Sequence, residues 1–276
     1  MNRYIEYIDV KYEVLDALRC YKPVVALEIS TISNGMSWSE NFKMAMELED
    51  IVRNNGATPA TMAIIDGRLK IGLEDYEIEL LTKSKNVIKT RRKDLPWVIS
   101  KKLTGATTVA STMILASLAG IRIIASIGIG GVHQGAETSF DVSSDLTELA
   151  QTDVAVICAG TKSKLDIALT LEKLETLGVP VIGYQTSEFP SFDKKKSGFT
   201  VDINLDTPLE CAEMLKAKWD LDLTGGVIIA NPIPSKLIGC ESMETNMSIV
   251  KNNAYLAAKI AIAFAKLDEH RKSAIG

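Results

Sequence analysis

Two side chains that can do covalent and acid–base chemistry follow apolar runs typical of buried strands. Lys162 comes after the run DVAVICAG, and Glu28 comes directly after VVAL. A lysine at a helix start loses its proton more readily, because the helix N-terminus carries a positive partial charge. Such an amine can attack a carbonyl carbon and form a Schiff base. A carboxyl group buried at a strand end holds its proton more readily and can act as a proton donor.

Both residues also have plainer interpretations, and the local sequence leaves them open. Lys162 would then be a surface lysine that reaches solvent, and Glu28 a carboxylate paired with a cation at the strand end. Asp141 and Asp145 also have both a structural and a functional interpretation. Asp141 fits an Asx turn and Asp145 the cap of a helix over 146–150. Alternatively, the two carboxylates belong to a site for a hard metal and a polyol.

The stretch GIGGVHQGAETSFDVSSD at 128–145 contains both aspartates and has four glycines in its first eight positions. It fails the dinucleotide-binding fingerprint G-x-G-x-x-G, because the last glycine would fall on His133. The later run GTKS also lacks the glycine that a Walker phosphate loop has before its lysine. We therefore expect no nucleotide cofactor.

Four cations stand in the segment Lys89–Lys93, just before a predicted helix. They form either a solvated basic surface or a clamp for an anionic group such as a sugar phosphate. Thr107 and Thr108, at the start of another predicted helix, could add hydroxyl and backbone N–H donors to the same phosphate.

Short apolar runs alternate with helical patterns, which predicts an α/β fold with a largely parallel central sheet and helices on both faces. The predicted strands cover 24–29, 121–127, 153–160, 179–185 and 225–232, with a hairpin over 58–72 that turns at Asp66-Gly67. The predicted helices cover 39–54, 74–83, 94–102 (capped by Asp94), 107–119, 162–177, about 207–220, and 241–267. No linker or internal repeat is visible, so residues 1–276 are expected to form one domain.

In such sheets, ligands bind beyond the carboxyl ends of the strands, where loops lead into helices. Four predicted loops of this kind carry reactive groups: Glu28, the stretch 128–145, residues 159–162 and Asn231-Pro232. They are distant in sequence, and we expect them to converge.

The composition limits the classes of function. A chain of 276 residues with 46% hydrophobic and 24% charged residues is typical of a soluble globular protein with a sizeable core. The net charge of −4 gives no reason to expect a nucleic-acid partner. The first twenty residues lack the apolar core of a signal peptide, and the uncharged run 103–121 is rich in small residues, which favours a buried helix over a membrane span. We therefore expect a cytoplasmic protein without a membrane partner.

The cysteines and histidines limit the kinds of metal site. The four cysteines are far apart in the sequence: Cys20, Cys158, Cys211 and Cys240. We expect reduced thiols rather than disulfides or a zinc site. His133 and His270 are the only histidines, which excludes a centre built on three histidines. Any metal is expected to be held mostly by oxygen, which suits Mg²⁺ or Mn²⁺.

Several long runs resemble the pseudouridine-5′-phosphate glycosidase family, also called indigoidine synthase A-like. They span nearly the whole chain: KPVVALE, NGATPATMAIIDGRLKIGL, DLPWVISKKLTGATTVASTMILASLAGI, GIGGVHQGAETSFDVSSDLTEL, VAVICAGTKSKLDIALTLEKLETLGVPVIGYQTSEFP, GGVIIANPIP and NMSIVKNNA. The resemblance implies an enzyme that reversibly splits the C–C glycosidic bond of pseudouridine 5′-phosphate into uracil and ribose 5-phosphate. It also implies a divalent metal, commonly manganese, and a homotrimer.

The resemblance further implies roles for single residues. Lys162 would form an imine with ribose C1′, Glu28 would donate a proton, and Asp141 would bind the metal. The substrate-binding residues would be Lys89, Val109, His133, Ser143, Ser144, Asp145 and Asn246, together with Thr108 from its place at a helix start. Asn246 would lie near the uracil.

The chain departs from the family pattern in three places. Ile29 and Asn34 stand in a run where relatives usually read S-T-I-I-S-H, and Gln134 stands where an arginine is usual. A short link over 235–242 replaces a longer, partly helical insertion. These departures leave two alternatives open. One is a Schiff-base lyase for another phosphorylated sugar, and the other is a non-catalytic trimer that binds a sugar phosphate or a partner.

Overall fold

The computed structural model describes residues 6–28, 37–161, 164–191, 196–233 and 243–275. Its strands are β1 (Ile8–Val10), β2 (Val24–Leu27), β3 (Thr58–Ile65), β4 (Arg68–Ile71), β5 (Ile88–Thr90), β6 (Gly105–Thr107), β7 (Ile123–Ala125), β8 (Val132–His133), β9 (Ala155–Cys158), β10 (Leu165–Asp166), β11 (Val181–Tyr184), β12 (Ile203–Leu205) and β13 (Val227–Ala230). Its helices are α1 (Tyr12–Arg19), α2 (Trp38–Asn54), α3 (Asp75–Lys83), α4 (Leu95–Ser100), α5 (Val109–Ala119), α6 (Ala136–Ser139), α7 (Ser144–Leu149), α8 (Ile167–Thr176), α9 (Pro208–Asp220) and α10 (Met243–Ile275). A 3₁₀ turn at Arg92–Asp94 joins β5 to α4.

One large sheet of 11 strands runs through the described part of the molecule. Its order is β1-β4-β3-β2-β7-β9-β13-β11-β12, with β6 pairing with β3, and β5 with β6. Neighbouring strands are parallel, except that β4 and β6 run antiparallel to β3. A separate antiparallel ribbon consists of β8 and β10. The predicted largely parallel sheet is therefore confirmed.

Helices cover both faces of this sheet, as predicted. Val25 and Leu27 of β2 pack in an apolar cluster with α2, α3, α9 and α10. Val24 and Ala26 of the same strand pack in a second cluster with α1, α4, α5, α7 and α8. Successive side chains of a strand point to opposite faces, so a strand buried on both faces has the continuous apolar sequence seen here.

The predicted hairpin over 58–72 is present as β3 and β4. Asp66 and Gly67 have φ angles of 50° and 76°. A two-residue turn of type I′ requires such left-handed values at both central positions, and Asp-Gly is a preferred pair for it. The local sequence was therefore sufficient to locate this turn.

The helix predicted to begin at Lys162 begins at Ile167 instead. Leu165 and Asp166 pair with β8, and the Asp166 carboxylate caps α8 by accepting a hydrogen bond from Leu169 N at 2.9 Å. The prediction that Lys162 starts a helix was therefore wrong, because β10 lies between that position and the helix in the chain. The positive end of the α8 dipole therefore lies five residues after position 162. Lys162 itself lies outside the described residues.

Two other helix ends differ from the prediction. Helix α4 begins at Leu95, but the Asp94 carboxylate accepts a hydrogen bond from Arg91 N at 3.1 Å and makes no cap bond to the helix. Helix α10 extends to Ile275, beyond its predicted end at Leu267. The apolar pattern weakens after Leu267, so it gave no reason to continue the helix.

The uncharged run 103–121 forms β6 and α5 inside the molecule. All of β6 and most of α5 are buried. Across the described ranges, no helix has both the length and the apolar character needed to cross a bilayer.

We expect Gly160→Ala to destabilise the fold more than Gly178→Ala. Both glycines have left-handed φ values, 75° and 68°, so each substitution should cost about 1–2 kcal/mol of backbone strain. At Gly160 the new Cβ would also lie 1.8 Å from Pro190 O, whereas at Gly178 it would meet no atom within 4 Å. Urea unfolding should show the larger loss of unfolding free energy for Gly160→Ala. Equal losses would contradict close packing of this loop.

Candidate active site

The carboxyl ends of the neighbouring parallel strands β2, β7, β9 and β13 meet at one edge of the sheet. A polar residue follows each strand: Glu28 after β2, Ser126 after β7, Thr161 after β9 and Asn231 after β13. All four are buried. Neighbouring strands are about 5 Å apart, so Glu28, Ser126 and Asn231, each directly after its strand, lie in one polar row, and Thr161 lies three residues beyond the end of β9. The predicted convergence of the strand-end loops is confirmed for Glu28 and Asn231.

Glu28 is held by the strand beside its own. Its backbone N–H donates to Ala125 O at 3.3 Å, and its Oε2 accepts from Ser126 Oγ at 3.1 Å. The Ser126 hydroxyl also lies 3.1 Å from Gly128 O, and its single proton must serve both acceptors. A carboxyl group that is 5% exposed and oriented by a hydroxyl is well suited to exchange a proton with a bound ligand.

Two asparagine side chains connect α10 to this edge. Asn253 Nδ2 donates to Ser126 O at 2.8 Å, and Asn253 Oδ1 accepts from Asn231 Nδ2 at 2.9 Å. Asn253 is only 1% exposed, so its amide would be costly to bury without these partners. The helix and three strand ends are thereby fixed to one another.

Ser126 and Asn253 were absent from the predicted site. Ser126 lies inside the strand predicted over 121–127, where a single hydroxyl gives no distinct signal. Asn253 lies on the apolar side of α10, four residues from Ile249 and four from Ala257. An amide in an apolar stripe needs a buried partner, and this is the signal that could have identified it.

Thr161 ends the described residues before the predicted nucleophile. It is fully buried, and its hydroxyl has no hydrogen-bond partner within the part of the chain that the structure describes. An unpaired buried hydroxyl costs about 1–3 kcal/mol. Lys162 lies outside the described residues, as do Ile29, Asn34 and the link over 235–242.

The glycines of the stretch 128–145 allow segments of the protein to approach one another. A Cβ on Gly130 would lie 2.1 Å from Ser143 Oγ, and a Cβ on Gly131 would lie 2.5 Å from Thr170 Oγ1. Any larger residue at these two positions would therefore push the loop away from α7 and α8.

The Asp145 carboxylate accepts two backbone hydrogen bonds. Ala110 N, in the first turn of α5, donates to Oδ1, and Gly130 N donates to Oδ2, both at 2.9 Å. The helix cap is Ser143, whose Oγ accepts from Asp145 N at 3.2 Å. The interpretation of Asp145 as the cap was therefore wrong. Its side chain instead joins α5, α7 and the glycine loop.

Four predicted substrate-binding residues surround that junction. Thr108 occupies the cap position of α5, with its Oγ1 3.2 Å from Ser111 Oγ, and Val109 begins the helix. Ser143 caps α7, and Ser144 begins it. Backbone N–H groups at a helix start lack partners within the helix and carry a positive partial charge, which favours an anion. At the start of α5 the Asp145 carboxylate already accepts one of these N–H groups, that of Ala110.

Strand pairing brings Lys89 to the same junction. Strand β5 runs parallel to β6, with Lys89 opposite Ala106. Thr108 N donates to Thr90 O at 3.2 Å, and Ser111 Oγ donates to the same oxygen at 2.6 Å. Lys89 therefore lies one residue from the strand end that is fixed to the start of α5.

The cations of the basic segment differ in their surroundings. Arg92 Nη1 forms an ion pair with the buried carboxylate of Glu148, and Arg91 Nε lies 3.7 Å from Asp94 Oδ2. Lys89 is exposed and has no ion-pair partner among the residues described. Of the four, Lys89 and Lys93 are exposed and have no ion-pair partner among the described residues, and Lys89 is the one that lies next to the strand end bonded to α5.

Asp141, the predicted metal ligand, lies beside His133. His133 Nδ1 is 3.7 Å from Asp141 Oδ2, and the side chains are 45% and 65% exposed. His133 N donates to Asp141 O at 3.0 Å. The described ranges contain no group of three His, Cys, Asp or Glu side chains able to hold a metal. A carboxylate and an imidazole, completed by water and ligand oxygens, nevertheless form a donor set that Mn²⁺ accepts.

Two further residues were singled out by the family resemblance. Asn246 is half-buried on α10, two turns before Asn253 and on the same side of the helix. Gln134 is exposed, and nothing in the structure explains why it replaces an arginine.

The buried cysteines are not nucleophiles. Burial raises the pKa of Cys158 to about 12 and that of Cys211 to about 12, so both thiols keep their protons at neutral pH. These two and the exposed Cys20 are free thiols, as expected. Cys240 lies outside the described residues.

We expect Asn253→Ala to lower the free energy of unfolding by about 1–3 kcal/mol, because Ser126 O and the Asn231 amide lose a buried partner. The matched control is Asn252→Ala, at the half-buried neighbouring position of α10. It should change stability by at most about 0.5 kcal/mol. Urea unfolding of both variants provides the measurement, and losses of equal size would exclude a special role for the Asn253 amide.

The family model of the indigoidine synthase A-like proteins matches residues 13–238. A pseudouridine-5′-phosphate glycosidase of Clostridium botulinum is 47% identical over 304 aligned positions, which cover 96% of this chain and 99% of that protein. A protein of the same name from Hahella chejuensis is 48% identical, with 94% and 98% coverage. The 304 positions exceed the 276 residues of the chain, so the relative has residues at positions where this chain has none.

Solved structures show the same fold from end to end. The prealnumycin C-glycosynthase AlnA, in complex with ribulose 5-phosphate, superposes with a TM-score of 0.89 at 30% identity, covering 96% of this chain and 99% of that one. An indigoidine synthase A-like protein from Thermotoga maritima gives a TM-score of 0.84 at 26% identity, with 94% and 97% coverage. The chain therefore belongs to the indigoidine synthase A-like family.

Proposed function

We propose that this protein reversibly cleaves the C–C glycosidic bond of pseudouridine 5′-phosphate, giving uracil and ribose 5-phosphate, through a Schiff base on Lys162. The observation that carries the proposal is the buried Glu28–Ser126 pair at the ends of β2 and β7, beside the strand that leads to Lys162. Relatives named pseudouridine-5′-phosphate glycosidase, aligned over nearly the whole chain, support it. The phosphorylated sugar bound to AlnA supports the same substrate class.

The strand order sets the distance between the two proposed catalytic groups. Only β7 separates β2 from β9, so the ends of those strands are about 10 Å apart. A ribose ring would fit between a carboxyl group at position 28 and an amine that enters from position 162. Glu28 and Lys162 would then act on the same sugar from two sides, already oriented for reaction.

The reaction needs a way to break a C–C bond that has no heteroatom leaving group. Glu28 would protonate the ring oxygen, so that the bond from O4′ to C1′ breaks and the Lys162 nitrogen takes its place on C1′. The nitrogen would lose one proton, and its lone pair would then form an iminium with C1′. The C–C bond electrons stay on uracil C5, beside its carbonyl, and that carbon takes up the proton that the nitrogen lost. Water would hydrolyse the iminium, releasing ribose 5-phosphate and the free lysine.

The phosphate would bind where α5 and α7 begin. The proposed donors are the Lys89 ammonium, the Thr108 hydroxyl, the Val109 backbone N–H and the hydroxyls of Ser143 and Ser144. Asp145 would serve this site chiefly by holding these segments, because its carboxylate already accepts two backbone hydrogen bonds. Phosphate binding would supply energy that orients the opened sugar.

A divalent metal, Mn²⁺ by the family resemblance, would bind Asp141 next to His133. Water and substrate oxygens would complete its coordination, as is usual where a protein supplies few carboxylates. When bound, the metal would add positive charge beside the anionic substrate. Asn246 would contact the uracil. We also propose that the protein forms a homotrimer and acts in the cytoplasm.

Borohydride reduction in the presence of ribose 5-phosphate should add the mass of the reduced sugar phosphate to Lys162, because hydride converts an imine into a stable amine. Lys162→Ala should lose this adduct and at least about 10³-fold of the rate at which uracil and ribose 5-phosphate form pseudouridine 5′-phosphate. Lys164→Ala, at an exposed lysine of the same segment, is the matched control and should retain both. Mass spectrometry and product chromatography provide the measurements.

The adduct and the uracil-dependent product together distinguish the alternative functions. An adduct on Lys162 without uracil-dependent product would indicate a Schiff-base lyase for another phosphorylated sugar. Absence of any adduct when Mn²⁺ is present would contradict both enzymatic functions and leave a sugar-phosphate-binding protein.

Asp141→Asn should raise the Mn²⁺ concentration for half-maximal activity by about 10–100-fold, because an amide oxygen is a weaker metal ligand than a carboxylate. Activity is titrated with Mn²⁺ after treatment with EDTA, and electron paramagnetic resonance measures Mn²⁺ binding directly. Glu137→Gln removes an exposed carboxylate of the same loop and should leave both readings unchanged. Unchanged Mn²⁺ binding in Asp141→Asn would disprove the assignment.

A further inference from the structure

We propose that Glu148 and Arg92 are positioning residues for the phosphate site, which keep Lys89 near the start of α7 without touching the substrate. The inference rests on the proposed function, since it concerns the anion that the same site would bind. Glu148 was not among the predicted substrate-binding positions, and Arg92 was considered only as one cation of the basic segment.

The Glu148 carboxylate is the buried member of an ion pair. Its side chain is 1% exposed, whereas that of Arg92 is 49% exposed. Arg92 Nη1 donates to Oε2, Gln151 Nε2 donates to the same oxygen at 3.3 Å, and the Thr152 hydroxyl donates to Oε1. Arg92 is the only cation within ion-pairing distance of Glu148 among the described residues. A buried carboxylate depends strongly on such a partner.

Helix α7 carries two such carboxylates, three residues apart. Residues at this spacing lie on the same side of a helix. Asp145 fixes α7 to the start of α5 and to the glycine loop, and Glu148 fixes it to the turn that follows β5. The segments that carry Lys89, Thr108 and Ser143 are therefore all bonded to one short helix.

The place of strand β5 in the sheet makes the Arg92–Glu148 pair important for the position of the strand. It has three residues and pairs with β6 alone. Pairing on one side leaves the other side of the strand without sheet partners. Thr90 O is bonded to the start of α5, and the Arg92–Glu148 pair adds a direct connection from the end of this strand to α7, so the distance from Lys89 to Ser143 depends on both.

The pair also occupies one cation that lies near the proposed phosphate site. The negative charge of Glu148 neutralises Arg92, which would otherwise compete with Lys89 for an anion. Loss of Glu148 would free a guanidinium group near the site, and loss of Arg92 would leave a buried carboxylate near it. Both changes would alter phosphate binding through charge and position, while the sugar and uracil contacts stay the same.

A second buried carboxylate supplies a matched control. Glu77 has a side chain that is 8% exposed and pairs with Lys70 at 2.8 Å. It lies on α3, which packs on the opposite face of the sheet from α5 and α7. Neutralising Glu77 removes a comparable ion pair but moves none of the proposed phosphate ligands.

The test measures dissociation constants of ribose 5-phosphate and of ribose, and KM and kcat for pseudouridine 5′-phosphate. For Glu148→Gln and Arg92→Gln we expect about tenfold weaker binding of ribose 5-phosphate and a similarly raised KM. The affinity for ribose and kcat should stay within about threefold. Arg92→Lys, which keeps the charge, should recover most of the loss. The double variant should be no worse than the poorer single one, because both changes break the same pair.

Thermal melts of each variant report folding. Unchanged affinity of the folded Glu148→Gln and Arg92→Gln proteins for ribose 5-phosphate would overturn the proposal. Equal losses for ribose and ribose 5-phosphate, or the same loss in Glu77→Gln, would also overturn it, because they would indicate a general effect on the fold. Wild-type protein that binds ribose 5-phosphate but forms no pseudouridine 5′-phosphate would contradict the proposed function alone.

Discussion

A single carboxylate, that of Asp145, joins three parts of the chain that are distant in sequence. Ala110 N belongs to a helix start, where backbone N–H groups lack partners within the helix, and Gly130 N belongs to a loop without regular structure. Both donate to Asp145 at 2.9 Å. Burial of the carboxylate and of the two N–H groups would be costly without these hydrogen bonds. The positions of Ser143 and Ser144 follow from this arrangement, because they begin the helix that carries Asp145.

The parallel sheet supplies the second constraint on the site. Because β2, β7, β9 and β13 are neighbours and point the same way, their last residues must lie in a row. Glu28 is oriented by Ser126, whose carbonyl is held by Asn253 of α10. Any movement of α10 against the sheet would therefore change the orientation of the Glu28 carboxyl group. The Glu28 carboxyl group and α10 are thus connected through Ser126 by hydrogen bonds.

The features predicted well from sequence are those set by local patterns. Continuous apolar runs identified the strands buried on both faces, and Asp66-Gly67 identified the hairpin. The start of α8 was missed because β10 has two residues and exists only through pairing with β8, which no local pattern encodes. Ser126 and Asn253 were missed for a related reason, since their roles depend on hydrogen bonds between segments distant in the chain. The proposed role of Lys162 rests on the family resemblance. A helix was predicted to begin at Lys162, but α8 begins at Ile167.

The protonated state of Cys158 has a consequence for the conditions under which the site can work. This thiol ends β9, four residues before the proposed nucleophile in sequence, and its raised pKa keeps it uncharged at neutral pH. Oxidants and alkylating agents react with thiolates, so among the described cysteines they would meet the exposed Cys20 first. The proposed chemistry uses an amine and a carboxyl group, so it would not require this buried thiol to be ionised.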